Sequence, residues 1–198
     1  MTAPHFARLA QQETGYVPLV RANRDLTWAR FIVTRRAGGP RDLTALRGAS
    51  VASPGALAIV SMLGVQLIID EGLIPPKDLI IVPYPSHSSS VLAVTTGEVD
   101  AAFTAVTALN QMLATARDAV RTIATSPDVL AVMLIAREDV PPQEREKVRS
   151  LMLRFDQTDE GRAFMVRTKL QGYREVTASE LALLDPDVEA LKVELSRR

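Results

Sequence analysis

The sequence contains no cysteine and only two histidines, His5 and His87, in 198 residues. The absence of cysteine excludes disulfides, thiolate nucleophiles and thiolate metal ligands. A structural zinc site would need an unusual set of carboxylate ligands, so no metal is expected. Lysine plus arginine and aspartate plus glutamate both number 23. Because positive charge is not in surplus, the composition does not favour binding to nucleic acid.

Long apolar runs are also missing. The most apolar segment, residues 56–69, is interrupted by Ser61, Gly64 and Gln66, and it is shorter than the roughly 20 residues of a membrane-spanning helix. The first ten residues lack a basic region followed by an apolar core, so we expect no signal peptide in this chain. We expect no direct insertion into a membrane.

Signatures of enzymes are scarce too. The glycine-rich phosphate loops and the Gly-x-Ser-x-Gly nucleophile motif are absent from the sequence. Glu98 and Asp100 alternate across a turn into a strand, which favours solvated turn residues over a catalytic pair. An enzyme that uses His87 as a general base is kept as an alternative. The function that we expect is not catalytic and needs no cofactor.

The chain does contain the alternation of strands and helices that is typical of an α/β protein. Between residues 49 and 125, β-type runs alternate with helical segments across short connections, which predicts parallel strands with helices on both faces. Residues 1–47 carry eight arginines and three acidic residues, which we interpret as a solvated face. Strands are predicted at 16–20, 28–34, 49–53, 78–83, 99–104, 120–125 and 129–135, the last paired with 31–34. Helices are predicted at 3–12, 54–71, 86–96, 108–119, 142–155, 159–170 and 179–195.

Hydroxyl groups and one histidine follow three neighbouring strands of the predicted sheet. Ligands bind in open α/β sheets outside the carboxyl ends of the strands, where the first turn of a helix attracts an anion or a polar acceptor. For each residue alone, a helix cap is the simpler interpretation, but three such sets at one edge favour a binding crevice. The candidate ligand-binding residues are Ser53, Gly55, Ser86, His87, Ser88, Ser89, Thr104 and Thr107.

Six short segments, in this order and spacing, resemble the phosphate/phosphite/phosphonate substrate-binding family of ABC transporters. The resemblance extends over residues 15–173. The segments are Gly15-Tyr-Val-Pro-Leu19, Leu43-Thr-Ala-Leu-Arg-Gly48, Asp70-Glu-Gly-Leu-Ile74, Ser86-His87 with Leu92-Ala-Val94, Gly97-Glu-Val-Asp-Ala-Ala102 and Val120-Arg-Thr-Ile-Ala-Thr-Ser-Pro127.

This resemblance implies a class II periplasmic binding protein, in which a small polar or anionic ligand is captured between two lobes and offered to an ABC permease. Residues 48–125 would form lobe two, and residues 1–47 and 126–198 would form an incomplete lobe one with C-terminal helices. The family has a further portion of lobe one before Gly15, so the chain resembles an N-terminally truncated member. A homodimer that completes the sheet is one consequence to test. The resemblance also implies a periplasmic location.

The resemblance is weaker in the pocket itself. Gly55-Ala-Leu-Ala58 stands where the family has a run of hydroxyl residues, and the positions of its two ligand-binding acids fall near Thr107 and Val132. Only His87 matches the family's pocket, so we expect a smaller or less charged ligand than an aminoalkylphosphonate. A truncated sensor or interaction protein built from the same lobe is the other alternative that the sequence leaves open.

Overall fold

The computed structural model describes residues 1–23, 30–126, 129–168 and 170–196. The chain forms two compact units, one from residues 1–27 and 129–196 and one from residues 28–128. None of the described helices is long and apolar enough to cross a bilayer. The strands are β1 Val17–Ala22, β2 Arg30–Arg35, β3 Ser50–Ser53, β4 Ile80–Pro83, β5 Ala101–Ala105, β6 Val120–Thr125, β7 Met133–Ala136 and β8 Tyr173–Arg174. The helices are α1 Pro4–Thr14, α2 Ile59–Asp70, α3 His87–Thr96, α4 Val106–Gln111, α5 Ala114–Asp118, α6 Pro142–Leu153, α7 Asp159–Thr168, α8 Ala178–Ala182 and α9 Asp185–Ser196.

The second unit contains a five-stranded sheet in the order β4-β3-β5-β2-β6. Strand β3 is parallel to both β4 and β5, which confirms the predicted α/β class. Strand β2 lies between β5 and β6 and is antiparallel to both, so the sheet is mixed. Strand β6 therefore runs in the same direction as β3, β4 and β5, as predicted, but it does not pair with any of them.

Successive residues of the central strands face opposite sides of this sheet, as the period of two requires. On one side, Val51 and Phe103 form a core with Val60 and Ile68 of α2. On the other side, Ala52 and Ala102 form a second core, which Val91 and Val94 of α3 complete. Helices α2 and α3 therefore cover opposite faces of one sheet.

The first unit is built on a three-stranded antiparallel sheet in the order β7-β1-β8. One of its buried clusters joins Ala7 of α1 and Met133 of β7 to Leu181 and Leu184 near the C-terminus. Thr2 also pairs with Met133 as an isolated bridge. Both ends of the described chain are thus needed to close this core.

Two predictions about organisation are wrong. The segment at 129–135 was predicted to pair with 31–34, but β7 pairs with β1, because β5 and β6 occupy both edges of β2. The compact units divide after residues 27 and 128, whereas the expected lobe two comprises residues 48–125. The helix predicted at 179–195 is divided into α8 and α9.

The helix predicted at 54–71 also starts later than expected. Gly55 has a φ of 129°, a conformation that no helix contains. Its N–H donates to the Ser53 hydroxyl at 3.3 Å, which closes a local turn before the helix begins. Helix α2 consequently starts at Ile59.

Candidate functional site

The chain reverses its direction of winding between β3 and β5. From β3 it crosses α2 to reach β4 at one edge, and from β4 it crosses α3 on the opposite face to reach β5 on the other side of β3. The connections that leave β3 and β5 therefore diverge to opposite faces of the sheet. In open α/β sheets such a switch point is where ligands bind, outside the carboxyl ends of the strands.

Ser53, at the end of β3, is held by groups of the protein. Its side chain is buried, and its hydroxyl donates to the Ser61 hydroxyl of α2 at 2.7 Å while it accepts the Gly55 N–H. Helix α2 begins after Ala58 without a side-chain cap. Ser53 thus anchors the start of α2 to β3.

Ser86 and Ser89 close the start of α3. The Ser86 hydroxyl accepts the Ser89 N–H at 3.1 Å, and the Ser89 hydroxyl accepts the Ser86 N–H at 3.0 Å. This reciprocal capping box confirms that Ser86 begins the helix. The Ser90 hydroxyl, fully buried, donates to the Ser86 carbonyl at 2.9 Å. These three serines stabilise the first turn of α3.

His87 and Ser88 occupy the first two positions of α3, where the helix dipole is positive. The His87 side chain is half-buried and the Ser88 side chain is exposed. The Ser88 N–H has no acceptor among the residues that the structure describes. This part of the first turn presents donors that the capping box does not use.

Thr104 and Thr107 follow on β5 and α4. Thr104 is fully buried, and its Oγ1 has no hydrogen-bond partner within the described ranges. Thr107 is half-buried in the first turn of α4. The fold brings the ends of β3, β4 and β5 to one edge, as predicted, but only some of the predicted hydroxyls are uncommitted there.

Two carboxylates near the strands of this unit, Asp100 and Glu98, form structural contacts. Asp100 accepts the N–H of Ser50 at 2.8 Å and the hydroxyl of Ser50 at 2.9 Å, at the amino end of β3. Glu98 accepts the Tyr84 hydroxyl at 2.7 Å, and this hydrogen bond, with burial, raises the pKa of the Tyr84 phenol. No group of three metal-binding side chains occurs among the described residues.

The first unit has a cavity of its own, of about 500 Å³, beside the ends of β1 and β7. Its arginine, Arg137, pairs with Asp139 at 2.7 Å, and the Glu138 carboxylate lies against Gly15. The positive charge is therefore already balanced inside this cavity, which favours the sheet edge of the second unit as the candidate site.

Sequence reasoning missed two residues that shape this edge, Ser61 and Tyr84. The signal for Ser61 was its position among apolar residues in the first turn of α2, where a buried hydroxyl needs a partner. Nothing in the sequence indicated that Tyr84 would reach back to Glu98.

The family model for the periplasmic phosphonate substrate-binding proteins of ABC transporters matches residues 1–181. No curated protein matches the sequence significantly.

Solved structures share the fold at low sequence identity. A chloride-bound protein from Xanthomonas citri, XAC2383, has a TM-score of 0.81 at 17% identity and aligns over 98% of this chain and 77% of its own. PhnD1 from Prochlorococcus marinus, in complex with methylphosphonate, has a TM-score of 0.74 at 12% identity over 96% and 75%. The aliphatic sulphonate binding protein SsuA from Escherichia coli has a TM-score of 0.67 at 14% identity over 98% and 73%.

The fold of these binding proteins is that of the present chain, which confirms the class II periplasmic-binding-protein fold that the resemblance implied. Because the family model extends over most of the 198 residues, the chain belongs to the periplasmic phosphonate substrate-binding protein family of ABC transporters.

Proposed function

We propose that this chain is a periplasmic solute-binding protein that captures a small oxyanion at the switch-point edge of its second unit and delivers it to an ABC permease. The observation that carries the proposal is the convergence of three strand ends, β3, β4 and β5, and of the helix start of α3 at one edge. Helix starts and hydroxyls there donate hydrogen bonds to an anion without a covalent step. The protein acts by binding and is not an enzyme.

The candidate residues fall into two groups: those that we propose to contact the ligand, and those whose hydrogen bonds hold the turns around it. His87, Ser88, Thr104 and Thr107 are the ligand contacts, since they lie at the carboxyl edge and outside the capping box. Ser53, Ser86 and Ser89 act indirectly, because their hydroxyls hold the turns that position the edge. Gly55 gives the β3 connection a conformation that other residues rarely adopt.

The relative from Prochlorococcus marinus, in complex with methylphosphonate, makes simple alkyl oxyanions the first ligands to test. The segment 54–58 that follows β3 contains no charged residue, and neither do residues 106–107 after β5. A cationic amine on the ligand would find no carboxylate in these two segments. We therefore propose an oxyanion without an amino group.

Thermal unfolding of the full chain tests this proposal with phosphate, methylphosphonate, sulfate and methanesulfonate. A ligand at about 100 times its Kd stabilises the folded state by about 2.7 kcal/mol, which raises Tm by roughly 5–10 °C for a chain of this size. Native mass spectrometry reports the retained ligand and the subunit number, and hence whether the expected homodimer forms. If none of the four oxyanions shifts Tm, the proposed function is wrong.

Two variants distinguish the loss of a ligand contact from the loss of protein stability. His87→Gln weakens binding because the imidazole is lost, whereas Ser53→Ala lowers stability and leaves the affinity of the folded protein nearly unchanged. Fractionation of the cells that naturally express the protein tests its location, which we propose to be the periplasm. The sensor and the His87 enzyme are not favoured by the family match.

A further inference from the structure

Thr104 has a buried hydroxyl that the described parts of the chain leave without a partner. The residue is fully buried, and no donor or acceptor among the described residues reaches Oγ1. An unsatisfied buried hydroxyl costs about 1–3 kcal/mol, so buried polar groups are almost always paired. Thr104 occupies the next-to-last position of β5, at the edge described above. A bound ligand would supply the missing partner.

The direction of this hydroxyl follows from the alternation along β5. Ala102 packs in the core beneath α3, and Phe103 packs in the core beneath α2. Thr104 shares the face of Ala102 because residues two apart in a strand point the same way. Its hydroxyl therefore faces the side on which α3 begins.

The first turn of α3 supplies a second donor on that side. The Ser88 N–H has no acceptor within the described ranges, and the helix is ten residues long, so its dipole favours an anion at this end. The two donors, one hydroxyl and one amide, belong to different elements that meet at the switch point.

Acceptors are scarce at the same place. The segments after β3, β4 and β5, residues 54–58, 84–86 and 106–107, contain no aspartate or glutamate. His87 lies on α3 itself, the Tyr84 hydroxyl donates to Glu98, and the Arg35 guanidinium lies against Gly97 at the other end of the helix. An edge of this composition offers hydroxyl and imidazole groups but no carboxylate in these segments. A ligand oxygen that carries a proton would lack a charged acceptor there, whereas an ionised oxygen accepts from every donor.

We propose that this edge selects oxyanions that have no proton to donate, such as a sulfonate or sulfate group, and that Thr104 Oγ1 and the Ser88 N–H are two of its donors. The inference rests on the proposed function and names the substrate class of the same site. A sulfonate is fully ionised near neutral pH, whereas an alkylphosphonate retains its second proton in part. The phosphonate must lose that proton before donors alone can bind it.

Titration calorimetry on the full chain tests the selectivity with methanesulfonate and methylphosphonate at about pH 6 and about pH 8.5. The expected ratio of affinities favours methanesulfonate by about tenfold or more at the lower pH and falls as the phosphonate ionises. The ratio of the two affinities cancels any effect of pH that the two ligands share. Sulfate in a third titration distinguishes the inorganic ion from an organic sulfonate.

Thr104→Val tests the assignment of the hydroxyl. Valine preserves the shape and removes the unpaired oxygen, so the affinity for methanesulfonate falls about fivefold to tenfold, while Tm without ligand stays equal or rises. Thr34→Val is the matched control, because Thr34 is equally buried in β2 but donates to the Pro40 carbonyl at 2.7 Å. That variant loses stability and keeps the affinity of its folded fraction.

The inference is overturned if methylphosphonate binds as tightly as methanesulfonate at the lower pH, or if Thr104→Val leaves the affinity unchanged. Either result leaves the proposed function intact, since an oxyanion still binds. If none of the oxyanions binds, both this inference and the proposed function are wrong.

Discussion

Gly64 of α2 lies directly against the ring of Phe103 of β5, and a Cβ at position 64 would collide with ring carbons Cδ1 and Cε1. Both residues are buried, and Phe103 belongs to the core that α2 covers. The helix backbone can approach the sheet this closely only because residue 64 has no side chain. This contact fixes the distance between α2 and the strand that carries Thr104.

Gly64→Ala is expected to destabilise the protein despite the better helix propensity of alanine. The collision costs about 1–3 kcal/mol, which exceeds the gain of about 1 kcal/mol from replacing a helical glycine. Denaturant unfolding measures the difference. Gln66→Ala, at an exposed position of the same helix, is the control and should change stability little. Adding Phe103→Leu should recover part of the loss, and a strictly additive double variant would contradict the contact.

Ser86→Ala is expected to lower the free energy of unfolding by about 1 kcal/mol, because the capping box of α3 loses its acceptor. Ser88→Ala, two residues later, retains the box and should leave stability nearly unchanged. Thermal unfolding of the two variants side by side makes the comparison. Equal losses in both would mean that the cap does not stabilise the start of α3.

Asp185→Asn is expected to destabilise the first unit near neutral pH and to lose this effect in acid. Asp185 accepts two hydrogen bonds from Arg8, at 2.8 and 3.2 Å, and the hydrogen bond from Arg8 lowers the pKa of its carboxyl. A carboxyl with a lowered pKa contributes stability above its unfolded pKa of about 3.9, and the contribution disappears as the pH falls through the folded pKa.

The measurement is the difference in Tm between wild type and Asp185→Asn from neutral pH down to about pH 3. The difference should stay constant from neutral pH to about pH 5 and then shrink as the pH falls towards the folded pKa. A difference that is constant over this range would show that the charge of Asp185 does not act through Arg8. Asp139→Asn serves as a control, since Asp139 pairs with Arg137 and both of these side chains are exposed.

The sequence predicted those parts of the fold that depend on local signals. The cap at Ser86 and the strand at 120–125 lie where the hydroxyl pattern and the β-branched run indicated. Strand partners were less predictable. The apolar composition of β7 indicates that the strand is buried, but it does not show which other strand has an unpaired edge for it. The prediction of 179–195 as one helix failed because the chain turns at Leu183–Leu184, where Leu184 enters the core of the first unit.

The location of the candidate site at one edge of the sheet could be predicted from the sequence. The side chains that are available for contacts there were harder to predict. The order of strands and helices located the edge, since carboxyl ends of parallel strands meet there. Which hydroxyls remain available depends on side-chain geometry that no spacing reveals. Ser53 was expected to face the ligand, yet its hydroxyl donates to Ser61, eight residues along the chain.

The arrangement of the two units along the chain sets an order for folding during synthesis. Residues 28–128 form one uninterrupted segment, so the second unit is complete while residues 129–196 are still being translated. The first unit must wait, because Thr2 pairs with Met133 and Arg8 with Asp185. Domains usually fold as soon as their sequence has emerged. A ribosome that stops before the final helix would therefore release a folded second unit joined to an unfolded first.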